Sequence, residues 1–79
     1  MTYNEAIEKV MEAYDNAMKD YTYVNRAQAA YNAADNMAFG IALETRGYTV
    51  DTNYNKFMAE HGREVIECRC RLLWMAGIN

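Results

Sequence analysis

The chain has 79 residues, a formal net charge of −3 and no proline, and 52% of its residues are hydrophobic while 24% are charged. This composition excludes an intrinsically disordered chain, and the length fits a single helical domain over residues 1–79. The acidic balance argues against direct nucleic-acid binding, and no apolar run reaches membrane-spanning length. We therefore expect a cytoplasmic protein with no targeting segment.

The first predicted helix begins at Thr2 and Glu5, whose spacing is that of a capping box. Its apolar residues recur at steps of three and four and are expected to face the core: Tyr3, Ile7, Val10, Tyr14, Ala17 and Tyr21. The sequence predicts a break from the next helix at residues 20–23, with Asp20 or Thr22 as the new N-cap, rather than one continuous helix.

The opposite side of the first helix is acidic and carries Glu5, Glu8, Glu12 and Asp15. Residues 1–20 hold five acidic and two basic side chains, so the whole net charge of −3 lies there. Two interpretations stay open. The face is either an ordinary solvated one, supported by Glu5–Lys9 and Asp15–Lys19 pairs, or a surface for a basic partner.

The second predicted helix is the long central one and extends from Thr22 to Gly47, where the glycine is typical of a helix C-terminus. Its main stripe consists of Val24, Ala27, Tyr31, Ala34, Ala38 and Ile41. The small alanines in this stripe would let another helix approach closely. Phe39 and Leu43 lie off the stripe and are expected at a subunit interface.

The third predicted helix follows a connector at residues 48–50, has Asp51 or Thr52 as its N-cap and runs to about Gly77. Its core face is predicted to contain Tyr54, Phe57, Met58, His61, Val65, Cys68, Leu72 and Met75. Gly62 is expected to kink or split this helix or to touch another backbone. The three patterns together predict an all-α fold, a small antiparallel three-helix arrangement.

Several apolar residues of the third helix lie off its core face. Ile66 and Leu73 are expected at a subunit interface, as are Phe39 and Leu43, so we predict a homo-oligomer. Trp74 falls on the polar side of the helix, and with Arg71 nearby it has the composition of a binding hot spot. Alternatively, the chain end bends after Leu73 and places the indole in the core.

No motif for chemistry stands out. His61, Glu64 and Cys68 are zinc ligands in type, but one helical face does not supply four converging ligands. There is no serine, no glycine-rich phosphate loop and no CxxC pair, and Cys68 and Cys70 are expected to be reduced thiols. We therefore predict no enzyme, no catalytic residue, no metal and no cofactor.

The leading functional hypothesis is a non-enzymatic, self-associating helical module that binds another protein as a small inhibitor or adaptor. Its size and its Tyr-, Asn- and Met-rich usage are typical of phage and mobile-element accessory proteins, although no motif supports this interpretation. One alternative is that the tyrosines and asparagines bind a small nucleotide-like ligand between helices or subunits. Another is a weakly acidic mimic of nucleic acid.

Overall fold

The computed structural model describes residues 1–78 and contains three α-helices: α1 (Tyr3–Met18), α2 (Arg26–Thr45) and α3 (Tyr54–Met75). No strand occurs in this range, and each helix contacts the other two. The all-α, three-helix prediction is confirmed. Asn79, the last residue of the predicted domain, lies outside the described residues.

The junction between α1 and α2 is a break, as predicted, but α2 begins later than expected. Asn25 is its N-cap, and its side chain accepts a hydrogen bond from the Gln28 N–H at 3.1 Å. Asp20 accepts hydrogen bonds from Thr22 instead, so the prediction that one of these two caps α2 is wrong. Val24 lies before the helix and is fully exposed, because residues 19–25 form the turn that reverses the chain.

Both later helices end at a glycine with positive φ, 95° at Gly47 and 78° at Gly77. After α2, the Tyr48 N–H donates to the Leu43 carbonyl, and the Gly47 N–H donates to the Glu44 carbonyl. The same pair of bonds follows α3, where the Ile78 N–H donates to the Leu73 carbonyl. These are Schellman turns, and they satisfy carbonyls that the helix end would otherwise leave free.

The third helix differs from the prediction at its start and at Gly62. Asn53 is the N-cap, in place of Asp51 or Thr52, and its side chain accepts from the Lys56 N–H at 3.0 Å. The helix runs through Gly62 without a split. A Cβ at that position would meet only the side chain of Met58, at 3.7 Å, so no other backbone approaches it closely.

The core is divided into two clusters. The larger cluster joins all three helices and contains Ala6, Val10, Ala34, Ala38, Ile41, Leu72, Leu73 and Ile78. The smaller cluster contains Ala42, Phe57 and Val65, and it connects the end of α2 to the start of α3. Ala34 and Ala38 are fully buried, so these alanines do allow close helix packing, whereas Ala27 is exposed.

Three of the residues predicted at a subunit interface pack against the core of this chain. Leu73 is only 6% exposed, so the expectation that it lies off the core face is wrong. The buried sector of α3 is wide there because α1 and α2 both flank its C-terminal half. Phe39 and Leu43 are half-buried against the smaller cluster, where the first turns of α3 and Tyr48 cover them.

Two tyrosines at the ends of the first inward stripe are not inward. Tyr3 and Tyr21 are exposed, whereas α1 buries Ala6, Val10 and Ala17. On α3, Tyr54 and Met75 are likewise exposed although the periodicity placed them in the core. Tyr3, Tyr54 and Met75 lie at helix ends, where less of the molecule covers a side chain, and Tyr21 lies beyond the end of α1 in the turn before α2.

Candidate interaction surfaces

The outer face of α3 exposes a row of apolar side chains. Ile66, Cys70 and Trp74 are spaced four residues apart, so they form one ridge on the helix surface. Trp74 is 72% exposed and Ile66 is 47% exposed, while Cys70 is also exposed. The predicted position of the indole on the solvent side of the helix is confirmed, and we call this ridge the α3 outer face.

Arg71 lies beside this ridge and connects α3 to the start of α1. Its Nη1 donates to the Tyr3 hydroxyl at 3.4 Å. This hydrogen bond raises the pKa of Arg71 above its ordinary value. Arg71 is therefore at the edge of the α3 outer face and is directed away from its centre.

The acidic side chains of α1 are all exposed. Glu5 accepts hydrogen bonds from the N–H and the hydroxyl of Thr2, and these bonds, the backbone one first, lower the pKa of Glu5. Glu8, Glu12 and Asp15 have no Lys, Arg or His within 4.0 Å among residues 1–78. The Glu5–Lys9 and Asp15–Lys19 pairs of the solvated-face interpretation are likewise not within 4.0 Å in this range.

A groove lies between α1 and α2 at the end of the molecule where α3 stops. Its volume is about 430 Å³, and we call it the distal groove. It is lined by Met11, Tyr14, Asp15, Ala27, Tyr31, Ala76, Gly77 and Ile78. Most of these side chains are apolar, and Asp15 belongs to the acidic side of α1.

The sequence did not predict the distal groove. Periodicity assigned Tyr14, Ala27 and Tyr31 to inward stripes, as if a third helix covered the whole length of the first two. The groove exists because α3 ends at Met75, and the turn that follows places Ile78 in the same groove lining as Tyr14. No local signal in α1 or α2 reports where another helix ends.

The turn between α1 and α2 is ordered by Arg26. Its Nη1 donates to the Met18 carbonyl at 2.9 Å, and its guanidinium carbon lies 4.2 Å from the centre of the Tyr21 ring. The Thr22 hydroxyl and N–H both donate to Asp20 and lower the pKa of that carboxyl group, the hydroxyl first. The turn is held by local bonds while Tyr21 remains exposed.

An ion pair that sequence reasoning missed connects α2 to α3. Arg69 Nη1 lies 3.2 Å from an Asp35 carboxylate oxygen, and both side chains are about 30% exposed or less. The partners are 34 residues apart in the chain. Their pairing depends on how the two helices cross, so neither residue carries a local signal for it.

The candidate metal ligands of α3 serve structural contacts. The His61 ring packs against Phe57 with 4.9 Å between ring centres, and its two nitrogens each lie 3.8 Å from Glu60 or Glu64. Glu64 also pairs with Arg46 at 3.5 Å. Within residues 1–78 no three His, Cys, Asp or Glu side chains converge as a metal site would require.

Within the same range, no helix has the length and apolar character needed to cross a membrane. Comparison with protein-family models, with curated proteins and with solved structures finds no significant match to this chain.

Proposed function

We propose that this chain is a non-enzymatic helical module that acts by binding proteins, and that it associates with a second copy of itself through the α3 outer face. The observation that carries the proposal is the exposure of Trp74 on the same ridge as Ile66. Tryptophan is the residue most enriched at the energetic centres of protein interfaces, and exposed apolar ridges on small domains mark contact surfaces.

Burying the exposed part of Trp74 in an interface would contribute several kcal/mol to the free energy of association. A tryptophan side chain buries roughly 150–250 Å² in an interface. At about 25 cal/mol/Å², covering the exposed part of the Trp74 ring is worth about 3 to 4 kcal/mol. A two-fold symmetric contact uses each ring once, so the two copies together gain this amount twice.

An antiparallel pairing of two α3 helices fits the charges on this face. If the helices cross midway between Glu67 and Cys70, Arg63 of one copy lies opposite Trp74 of the other. A guanidinium over an indole face is a favourable cation–π arrangement. The symmetry forms this contact twice.

The first test compares association with stability in Trp74→Ala. Light scattering at tens of micromolar should give the mass of a dimer for the native chain and the mass of a monomer for the variant. The thermal stabilities are compared at concentrations low enough to dissociate the native dimer, where the two chains should be nearly equal because association no longer contributes. Val50→Ala is the control, since Val50 is also an exposed apolar residue but lies outside the α3 outer face. Leu72→Ala is the reference for a loss of core packing. Leu72 is 1% exposed, so its truncation should lower the free energy of unfolding by about 2–5 kcal/mol. A monomeric native chain, or a large stability loss in Trp74→Ala, would contradict the proposal.

The second test locates the interface through Cys70. A short bis-maleimide should cross-link two native chains and two Cys68→Ser chains, because Cys70 lies on the ridge. Cys70→Ser should not cross-link, because Cys68 is half-buried and packs against the core. A dimer by light scattering that cannot be cross-linked through Cys70 would place the interface elsewhere.

A further inference from the structure

We infer that the distal groove and the adjoining acidic side of α1 form a docking site for a cationic amphipathic helix of another protein. This inference rests on the proposed function, since it names the chemistry of the partner that such a module binds. The site is separate from the α3 outer face, because the two share no residue.

The helix α3 covers only part of the α1–α2 hairpin. The C-terminal half of α3 packs against both helices, and the chain then turns at Gly77 so that Ile78 lines the distal groove. Beyond Ile78, the hairpin has no third helix among residues 1–78. A helix bound in the distal groove would cover the part of the α1–α2 hairpin that α3 leaves uncovered.

The lining of the distal groove is mostly apolar. Met11 is 45% exposed and Tyr31 is 36% exposed, one on each wall, and the small Ala27 leaves room between them. Methionine is flexible and polarizable, so it adapts to apolar side chains of different shapes. Tyrosine offers a large apolar ring and a hydroxyl that can remain in water. This lining suits the apolar stripe of a helix.

The rim of the groove that α1 forms is acidic. Glu8 precedes Met11 by three residues and Asp15 follows it by four, so both carboxylates flank Met11 on the same side of α1, with Glu12 one turn from Glu8. None of the three has a cation within 4.0 Å in the described part of the chain. The nearby Arg26 is already engaged by the Met18 carbonyl and the Tyr21 ring.

Unpaired carboxylates beside an apolar groove select the occupant. A helix with Lys or Arg along one edge of its apolar stripe would place those cations against Glu8, Glu12 and Asp15. Such complementarity speeds encounter and rejects acidic partners. The occupant is therefore a basic amphipathic helix, and nucleic acid is repelled by the same charges.

The test is fluorescence anisotropy with a labelled leucine–lysine peptide of helical period. The triple variant Glu8→Gln, Glu12→Gln, Asp15→Asn should bind about tenfold more weakly, a loss comparable to one or two exposed ion pairs per binding helix. The charge-matched control removes three carboxylates elsewhere, Glu44→Gln, Asp51→Asn and Glu60→Gln, and should stay within about twofold of the native affinity. Met11→Ala should weaken binding about fivefold with the charge unchanged.

Three outcomes would overturn the inference. Equal losses in the two triple variants would show attraction by net charge alone. If the native chain bound a leucine–glutamine peptide as tightly as the leucine–lysine peptide, the acidic rim would have no role in binding. If the folded native chain bound neither peptide, the distal groove would not be a docking site. Light scattering on the same samples separates this inference from the self-association proposal, because a monomer that binds the peptide refutes only the latter. A dimer that does not bind the peptide refutes only the docking site. Circular dichroism of each variant confirms that the helices are intact.

Discussion

Trp74 and Leu72 are two residues apart on α3 and lie in opposite environments. A rotation of 100° per residue places their side chains on nearly opposite sides of the helix, and Leu72 is almost fully buried whereas Trp74 is mostly exposed. This difference could be predicted from sequence, because it depends only on the helix period. The burial of Leu73 could not, because it depends on how wide a sector of α3 the other two helices cover.

The capping box at the start of α1 makes stability depend on pH in the acid range. The hydrogen bonds from Thr2 lower the pKa of Glu5 below its ordinary value of 4.5. A carboxyl group with a lower pKa in the folded state stabilises the fold above its unfolded pKa. This contribution is lost as the pH falls through the folded value. Between pH 7 and pH 5 the contribution of Glu5 should therefore be constant.

We predict that Glu5→Gln is less stable than the native chain at pH 6 and that the difference shrinks below pH about 4.5. Glutamine at this position can still accept a hydrogen bond but carries no charge at any pH. Urea unfolding at a series of pH values measures the difference. Glu12→Gln serves as the control, since Glu12 accepts no hydrogen bond within the described residues. A difference that stays constant down to pH 3 would contradict the assigned role of the Glu5 charge.

The three helices could be predicted from the sequence, but only one of their three N-cap residues could. Thr2 and Glu5 were identified as a capping box because the two residues form a specific pair at a fixed spacing. The junctions before α2 and α3 each offer several good capping residues, among them Asp20, Thr22 and Asn25 before α2. All of them suit an N-cap. Tertiary packing decides which one is used, so local sequence cannot.

The glycines of α2 and α3 have different structural roles, and substitution should separate them. Gly62 lies inside α3, and an added Cβ would make only an ordinary contact with Met58. Gly62→Ala should therefore raise the free energy of unfolding by about 0.5–1 kcal/mol, because glycine loses more backbone entropy in a helix. Gly47 has a φ of 95°. Gly47→Ala should lower the free energy by about 1–2 kcal/mol, because an L residue is strained there.

Chemical denaturation of the two glycine variants measures both changes against the native chain. Equal effects of the same sign would contradict these assignments. Destabilisation by Gly62→Ala would in particular support the hypothesis, made from the sequence, that another backbone contacts this glycine, since an added methyl group would then collide with it.

The folded chain is more extended than a typical domain of its length. The radius of gyration is 13.3 Å, whereas a typical domain of this length has about 11.6 Å. The accessible surface is 5606 Å², and a monomer of this mass typically exposes about 4,900 Å². The extended shape follows from α3 covering only part of the α1–α2 hairpin, which no residue pattern in the hairpin reports.

Association through the α3 outer face leads to a prediction about thermal stability and concentration. If two copies associate in the folded state only, a hundredfold rise in protein concentration stabilises the dimer by about 2.7 kcal/mol, or about 1.4 kcal/mol per chain. For a domain of this size that corresponds to a rise of up to about 5–10 °C in the unfolding midpoint. Differential scanning calorimetry across this range measures the shift. Trp74→Ala should have a midpoint that does not depend on concentration, while Val50→Ala should behave as the native chain, because only the former lies on the α3 outer face. A native midpoint that is the same at all concentrations would contradict self-association through the exposed ridge of α3.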